Sequence, residues 1–206
     1  MSHSAETCTP AAAYPLHLDA LVHDALRRVL RAGHSAVDAT AGNGYDTLFL
    51  ARQVGPHGLV WAFDVQQQAL DAAAARLAAV QEPLATVRFI HDGHEHAGSY
   101  LPEVFPAGQE LMAVVFILGY LPRTDKRVTT SAATTLAAVT QLLPRMAAGG
   151  VMALHAYTGQ EGGVAEVAAL EELCASLPYT QWSALHTVTR NKTLRPEHVF
   201  LLQRHV

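Results

Sequence analysis

Apolar positions along the chain follow two alternating rhythms, one helical and one extended. Over residues 16–31, Leu18, Leu21, Val22, Ala25, Leu26, Val29 and Leu30 recur at the spacing of one helical face, and Gly33 stops the run. The short apolar stretch Ala36–Ala39 reads as a strand running into the loop Thr40-Ala41-Gly42-Asn43-Gly44. A helix is predicted over 46–54, then a Gly55-Pro56-His57-Gly58 turn, a buried strand Leu59–Phe63 ending on Asp64, and an Ala-rich helix over 66–80. The strand Thr86–Ile90 leads into His91-Asp92-Gly93-His94, and residues 98–110 carry the Gly and Pro punctuation of a loop. Leu111–Leu118 is continuously apolar, as expected of a parallel strand covered on both faces. A helix over 129–146, a strand Val151–His155, a Gly-rich loop over 158–163 and a helix over 164–176 follow. The last two segments, Gln181–Thr189 and Glu197–Gln203, alternate like an antiparallel pair.

Strands alternating with helices predict an α/β fold, a mostly parallel sheet with helices on both faces. One domain is expected over 16–206, behind a flexible leader at 1–15. In such a sheet, ligands bind at the carboxyl ends of strands near the topological switch point. The loop beginning at Asp38 sits at such an end, where Gly42 and Gly44 permit a sharp turn and a close ligand approach. The third glycine of the dinucleotide fingerprint is absent, since Thr47 and Leu48 follow, which disfavours a nicotinamide cofactor and hydride transfer. Asp64 ends the second strand about 20 residues on, where an acid can accept from both hydroxyls of a ribose. Asp92 ends the third, where it can accept from an exocyclic amine. One acid per strand end suits an adenosine ligand without a pyrophosphate; helix capping is the plainer role of such residues. For Asp38, pinning the loop and touching a ligand are equally open.

Composition narrows the class. Half of the 206 residues are hydrophobic, yet no run reaches the ~18–20 residues that span a bilayer, so no membrane association is expected. The formal charge of −4 argues against a generic polyanion binder and leaves room for a local basic patch. Two cysteines, Cys8 and Cys174, make no disulfide framework and no zinc spacing, and the first residues lack a secretory pattern, pointing to the cytoplasm. His91, His94 and His96 do not match a zinc-ligand spacing, so no metal is expected, and His155 reads as a satisfied strand-end residue rather than a base.

The stretch Asp38-Ala-Thr-Ala-Gly-Asn-Gly-Tyr-Asp-Thr-Leu-Phe-Leu-Ala51, together with Gly119-Tyr120-Leu121-Pro122 and Asp125-Lys126, resembles the two motifs of the MnmM/YtqB-like small class I methyltransferases, once known as rRNA methylases. The resemblance covers roughly residues 16–160. It implies a Rossmann-like, seven-stranded, mostly parallel sheet with S-adenosylmethionine as cofactor. It also implies methyl transfer to the aminomethyl group of 5-aminomethyl-2-thiouridine at the tRNA wobble position. Carried over, Gly42, Asn43 and Gly44 wrap the methionine part of the cofactor, beside Asp38 and Thr40. Asp46 and Thr47 open the helix next to it. Asp64 and Val65 meet the ribose, and Asp92, Gly93 and His94 border the adenine. Tyr120 lines the acceptor pocket.

The chain departs from that family on the acceptor side. The family's Asn-Leu-Gly-Tyr reads Ile117-Leu118-Gly119-Tyr120 here, which removes an amide able to accept from a target amine. Tyr-Pro-Gly-His becomes Tyr157-Thr158-Gly159-Gln160, and Asn191–Pro196 only loosely echoes the C-terminal Asn-x-Pro-Pro. An alkylammonium acceptor must shed a proton before attack, and Tyr120 and Asp125 are the candidate catalytic residues to orient the amine or receive that proton. Packing for Tyr120 and a helix N-terminal role for Asp125 are the alternatives. Basic residues gather at Arg123, Lys126 and Arg127 and at Arg190, Lys192 and Arg195; both of the chain's lysines fall there, a candidate tRNA-facing rim. Two further readings stay open: methylation of a small molecule or another RNA position, and a non-catalytic adenosine-ligand binder. A homodimer is left open too.

Overall fold

The computed structural model describes residues 17–119 and 129–205. Among them the chain runs α1 (Leu18–Val29), β1 (Ser35–Asp38), α2 (Tyr45–Val54), β2 (Leu59–Asp64), α3 (Gln67–Ala78), β3 (Thr86–His91), β4 (Leu111–Leu118), α4 (Ala132–Leu142), β5 (Val151–Tyr157), α5 (Gly163–Ser176), β6 (Trp182–Val188) and β7 (Glu197–Arg204). Two short 3-10 turns, His94–Ser99 and Leu143–Arg145, complete it. The expected leader lies outside the described residues, as do Tyr120, Arg123, Asp125, Lys126 and Arg127.

Seven strands form one sheet in the order β3-β2-β1-β4-β5-β7-β6. Strands β1 to β5 are parallel, and β7 runs antiparallel to both of its neighbours. The antiparallel pair matches expectation, but β7 inserts inside β6, an order that sequence adjacency does not reveal. In β4, alternation divides the apolar run between two layers. Val114, Phe116 and Leu118 join the layer containing Val139 and Leu142 of α4 and Leu170 of α5. Ala113 and Val115 join the layer containing Leu26 of α1 and Leu50 of α2. Both faces of the strand are therefore covered, which is why its sequence shows no polar alternation. No helix among the described residues is long and apolar enough to cross a membrane.

Helix α4 and the segment after β3 depart most from the sequence reading. The helix expected from 129 begins at Ala132, because Ser131 closes a capping box with Thr134: the Ser131 hydroxyl accepts from the Thr134 N–H at 3.3 Å, and the Thr134 hydroxyl accepts from the Ser131 N–H at 3.3 Å. It ends at Leu142, just before Pro144, which has no N–H to continue the ladder. Residues 94–99, at the edge of the expected loop, wind into a 3-10 turn held from α4. The Gln141 amide donates to the Glu95 carbonyl at 2.6 Å and accepts from the Gly98 N–H at 3.0 Å. These partners lie more than forty residues away, so local sequence carries no sign of the turn.

Candidate active site

Strand order reverses between β1 and β4, so the loops leaving their carboxyl ends part and open a crevice. A cavity of about 470 Å³ occupies it, within the ~300–1,000 Å³ usual for small-molecule sites. A second cavity of about 950 Å³ shares the Ile117 and Gly119 wall and is bounded by Tyr157, Gln160, Asn191, Lys192, Arg195 and Glu197.

The first loop is built around Asp38, which is fully buried. Its Oδ1 accepts from the Thr40 N–H at 3.1 Å, and its Oδ2 accepts from the Thr47 hydroxyl at 2.5 Å. Burial, reinforced by the nearby negative charge of Asp46, pushes its carboxyl up to about 7. Thr40 in turn accepts at Oγ1 from the Ile117 N–H (2.7 Å), tying the ends of β1 and β4 together across the crevice. Gly42, with φ +49°, donates its N–H to Asp64 Oδ2 at 2.9 Å, while Asp64 Oδ1 accepts from the Gln66 N–H at 2.9 Å. The Asn43 carbonyl accepts from Arg76 Nε at 2.6 Å, and that guanidinium lies 3.6 Å from the centre of the Tyr45 ring.

Nine of the sequence-selected residues line this first cavity: Thr40, Gly42, Asn43, Asp46, Asp64, Val65, Asp92, Gly93 and His94. Asp38, Gly44 and Thr47 sit behind it instead. Asp38 and Thr47 are buried and spend their polar atoms on the loop itself. Gly44 is in the left-handed region at φ +77°, and a Cβ there would lie 2.5 Å from Ala73 Cα. It lets α2 begin directly against α3 and is not among the residues lining the cavity.

At the end of β3 the polar groups are held in place by their own loop and by the end of β1. Asp92 already accepts from the Gly93 N–H, from His96 Nδ1 and from the Tyr100 hydroxyl, each at 2.8 Å. The His96 bond is foremost in holding its carboxyl below the usual range. His94 is buried, its Nδ1 donates to the Ala39 carbonyl at 3.1 Å, and burial lowers its pKa. Its Nε2 is therefore a neutral acceptor, buried, with no partner among the described residues. The three neighbouring histidines serve separate partners, since His91 Nε2 meets the Val65 carbonyl at 3.0 Å.

Sequence reasoning missed Asp19, Tyr45, Gln66, Glu95, Thr129, Thr130 and Thr134, which also line the cavity. Asp19 comes from α1, far back in the chain. Thr130 and Thr135 donate to the two oxygens of the buried Glu166, at 3.0 and 2.6 Å, fixing the start of α4 to α5. His155 is buried, its Nδ1 bonded to Asp19 Oδ1 at 2.8 Å. Lys192 is ion-paired with Glu197 beside the second cavity, and the Arg195 stem packs over Gly159. Arg190 is exposed and stands off that wall. Glu171, His186 and His198 form a separate cluster whose ligand-type atoms lie within 4.8 Å of one another, and the sequence reading did not anticipate it.

The fold resembles a solved structure described as a "putative rRNA-methylase" from Clostridium thermocellum, with a TM-score of 0.82 and 27% identity, covering 93% of this chain and 99% of that one. A structure from Streptococcus mutans described as "a putative methyltransferase", in complex with SAH, gives a TM-score of 0.80 and 32% identity over 93% of this chain and 99% of that one. Sheet order and these likenesses define the class: the Rossmann-like fold of the class I methyltransferases. A protein of Arabidopsis thaliana named tRNA (mnm(5)s(2)U34)-methyltransferase, chloroplastic, is 30% identical over 191 residues, 89% of this chain and 68% of that protein. The chain belongs to the family described as "Putative rRNA methylase", whose family model matches residues 60–203.

Proposed function

We propose that this protein is an S-adenosylmethionine-dependent methyltransferase whose acceptor is the aminomethyl group of 5-aminomethyl-2-thiouridine at the tRNA wobble position. The observation that carries the reading is the pair of cavities meeting at the Ile117–Gly119 wall, the first lined by an acid at the end of each of β2 and β3. The relative named for tRNA methylation supports the choice of acceptor.

The residues fit the cofactor. Asp64 keeps lone pairs for a ribose diol after accepting from Gly42 and Gln66, since a carboxylate offers about four acceptor sites. His94, on the wall of this cavity with a buried and unpartnered Nε2, borders the adenine. Asp92 keeps an acceptor site for the exocyclic amine after its three loop bonds, and borders the adenine with His94. When bound, S-adenosylmethionine supplies a methyl group on a sulfonium, transferable in line to a nucleophile. The chain's own part is chiefly positioning, which can supply ~7–11 kcal/mol of such a barrier. Thr40 fixes the Ile117 backbone between the cavities and so sets the wall through which the acceptor must meet the methyl. An amine entering from the second cavity leaves water, which lowers its pKa and favours the neutral nucleophile. Tyr120 and Asp125, which follow this wall in sequence, orient that amine or take its proton. Lys192 and Arg195 contact RNA phosphates at the outer edge.

One observation favours a second reading, methylation of another RNA position or of a small molecule. Ile117 stands where the resembled family has Asn, so its side chain offers no acceptor to an amine. Nucleoside mass spectrometry of tRNA from a deletion strain separates the two. The first reading expects loss of the methylaminomethyl nucleoside and accumulation of its aminomethyl precursor. An unchanged profile rejects it.

A further inference from the structure

Under α5, the β6–β7 pair buries Trp182, Phe200 and Leu202 in the same layer as Leu170 of the helix. Two histidines interrupt that apolar face. His186 lies opposite Phe200, and His198 stands two residues back along β7, so the imidazoles are diagonal neighbours on one side of the sheet. Glu171, next to Leu170 on α5, completes the group. The histidines are 12 residues apart and the acid comes from another element, so no short ligand motif marks them.

The imidazoles meet as converging ligands do. His186 Nε2 and His198 Nδ1 are 2.8 Å apart, while the ring centres are 5.0 Å apart and the planes differ by 19°. The rings therefore meet edge to edge, nitrogen toward nitrogen. His186 also stacks on Phe200, with centres 4.2 Å apart, which fixes its plane. Glu171 Oε1 is 3.4 Å from His186 Nδ1, and one ligand-type atom from each of the three residues fits within 4.8 Å of the others. Tetrahedral bonds of the zinc type place ligand atoms about 3.3 Å apart. The nitrogens reach that by opening roughly half an ångström, with β6 at the sheet edge and able to give. The Glu171 side chain, 53% exposed, has solvent room to turn in.

A shared N–H between two rings does not account for His198. It is 9% exposed, and its Nε2 has no partner among the described residues. Burial, and after it the neighbouring His186, holds its pKa below the usual value against the pull of Glu171. It is thus kept neutral, the form in which imidazole binds metal.

We propose that Glu171, His186 and His198 bind one divalent transition-metal ion of the zinc type. Two imidazole nitrogens and a carboxylate oxygen favour such an ion over Mg2+ or Ca2+, which take oxygen ligands. The ion fastens β6 and β7 to α5. Glu197, beside His198, lines the second cavity, and the residues joining β6 to β7 bring Asn191, Lys192 and Arg195 to the same wall. The site steadies the base of that wall and touches no reacting atom, so it stands independently of the methyltransferase reading.

The test uses the full chain, stripped with a chelator, and Zn2+ alone as the probe. Calorimetry gives stoichiometry and Kd for wild type, His186→Gln, Glu171→Gln and a control, His57→Gln, in the turn before β2. The expected result is a tightest site of one Zn2+ per chain that raises the melting temperature. Each of His186→Gln and Glu171→Gln is expected to raise Kd at least about tenfold, the lower end of what removing a group that merely orients a metal ligand costs. His57→Gln is expected to change nothing. Absence of saturable binding overturns the proposal, as does either site variant staying within twofold of wild type or His57→Gln weakening binding equally. A melting temperature that follows pH but not Zn2+ leaves only a hydrogen-bonded histidine pair and also overturns it. Should a site variant not fold, the wild-type chain is labelled with diethyl pyrocarbonate and mapped by mass spectrometry. Zn2+ is expected to protect His186 and leave His57 reactive; equal labelling of His186 with and without Zn2+ overturns the site.

Discussion

Asp38 spends both carboxylate oxygens on its own loop, and at the scale of single residues that choice has a cost that depends on pH. Its folded carboxyl titrates near 7, above its ordinary 3.8, because burial and Asp46 disfavour the charge. An acid with a raised folded pKa holds a proton that the unfolded chain releases. Its contribution is therefore most favourable below the unfolded value and is lost as pH rises through the folded one. Asp38→Asn can still accept from the Thr40 N–H and can donate to the Thr47 oxygen. The variant is expected to gain stability relative to wild type between pH 4 and pH 7, by an amount on the order of a few kcal/mol, with a constant gap above pH 8. Denaturant melts at several pH values check this; a gap that does not vary with pH refutes it. The sequence made loop-pinning and ligand contact equally open for Asp38. Only the burial of its carboxylate and the position of Thr47 separate them, and both depend on how α2 leaves the loop.

Between elements, Gly44 illustrates how the right residue can be chosen for an incomplete reason. The sequence marks Gly42 and Gly44 together as a ligand-approach loop. Gly42 does face the cavity and gives its N–H to Asp64. Gly44 starts α2 with a left-handed backbone and lets it pack directly on Ala73 of α3. Gly44→Ala combines a strained φ with a backbone clash that no rotamer relieves. It is expected to cost about 3 kcal/mol of unfolding free energy by denaturant titration, with nucleoside affinity of the folded fraction retained. Elements with a clear period were legible to within a few residues, as β4 and the final antiparallel pair show. The 3-10 turn at His94–Ser99 was not, because its hydrogen bonds come from Gln141 and Arg145.

For the whole molecule, the two cavities divide the charge. The described wall of the first carries acids and histidine without a Lys or Arg, while the second brings Lys192 and Arg195 to its edge. On the proposed function, a chain with a formal charge of −4 meets RNA through such a local edge. Lys192 is already paired with Glu197, so Arg195 is the more informative position. Arg195→Glu is expected to weaken tRNA binding across sequences and to reduce the salt slope of log K by roughly one, while S-adenosylhomocysteine binding stays unchanged. Equal tRNA affinity over a salt series refutes an RNA-facing edge there.

By itself the sequence determined the alternation of strands and helices and the acids at successive strand ends, because periodicity and short motifs are local properties of the chain. It also carried the resemblance through which the family was reached. Tertiary structure decided what no local window contains. It placed β7 between β5 and β6, brought Asp19 of α1 against His155, and set Ile117 on the wall between two cavities. It turned Asp38 and Thr47 inward while leaving Asp46 and Asp64 on the cavity wall. The reason is physical: whether a carboxylate meets ligand, backbone or another side chain depends on burial and on partners from distant elements, and those exist only once the sheet has assembled.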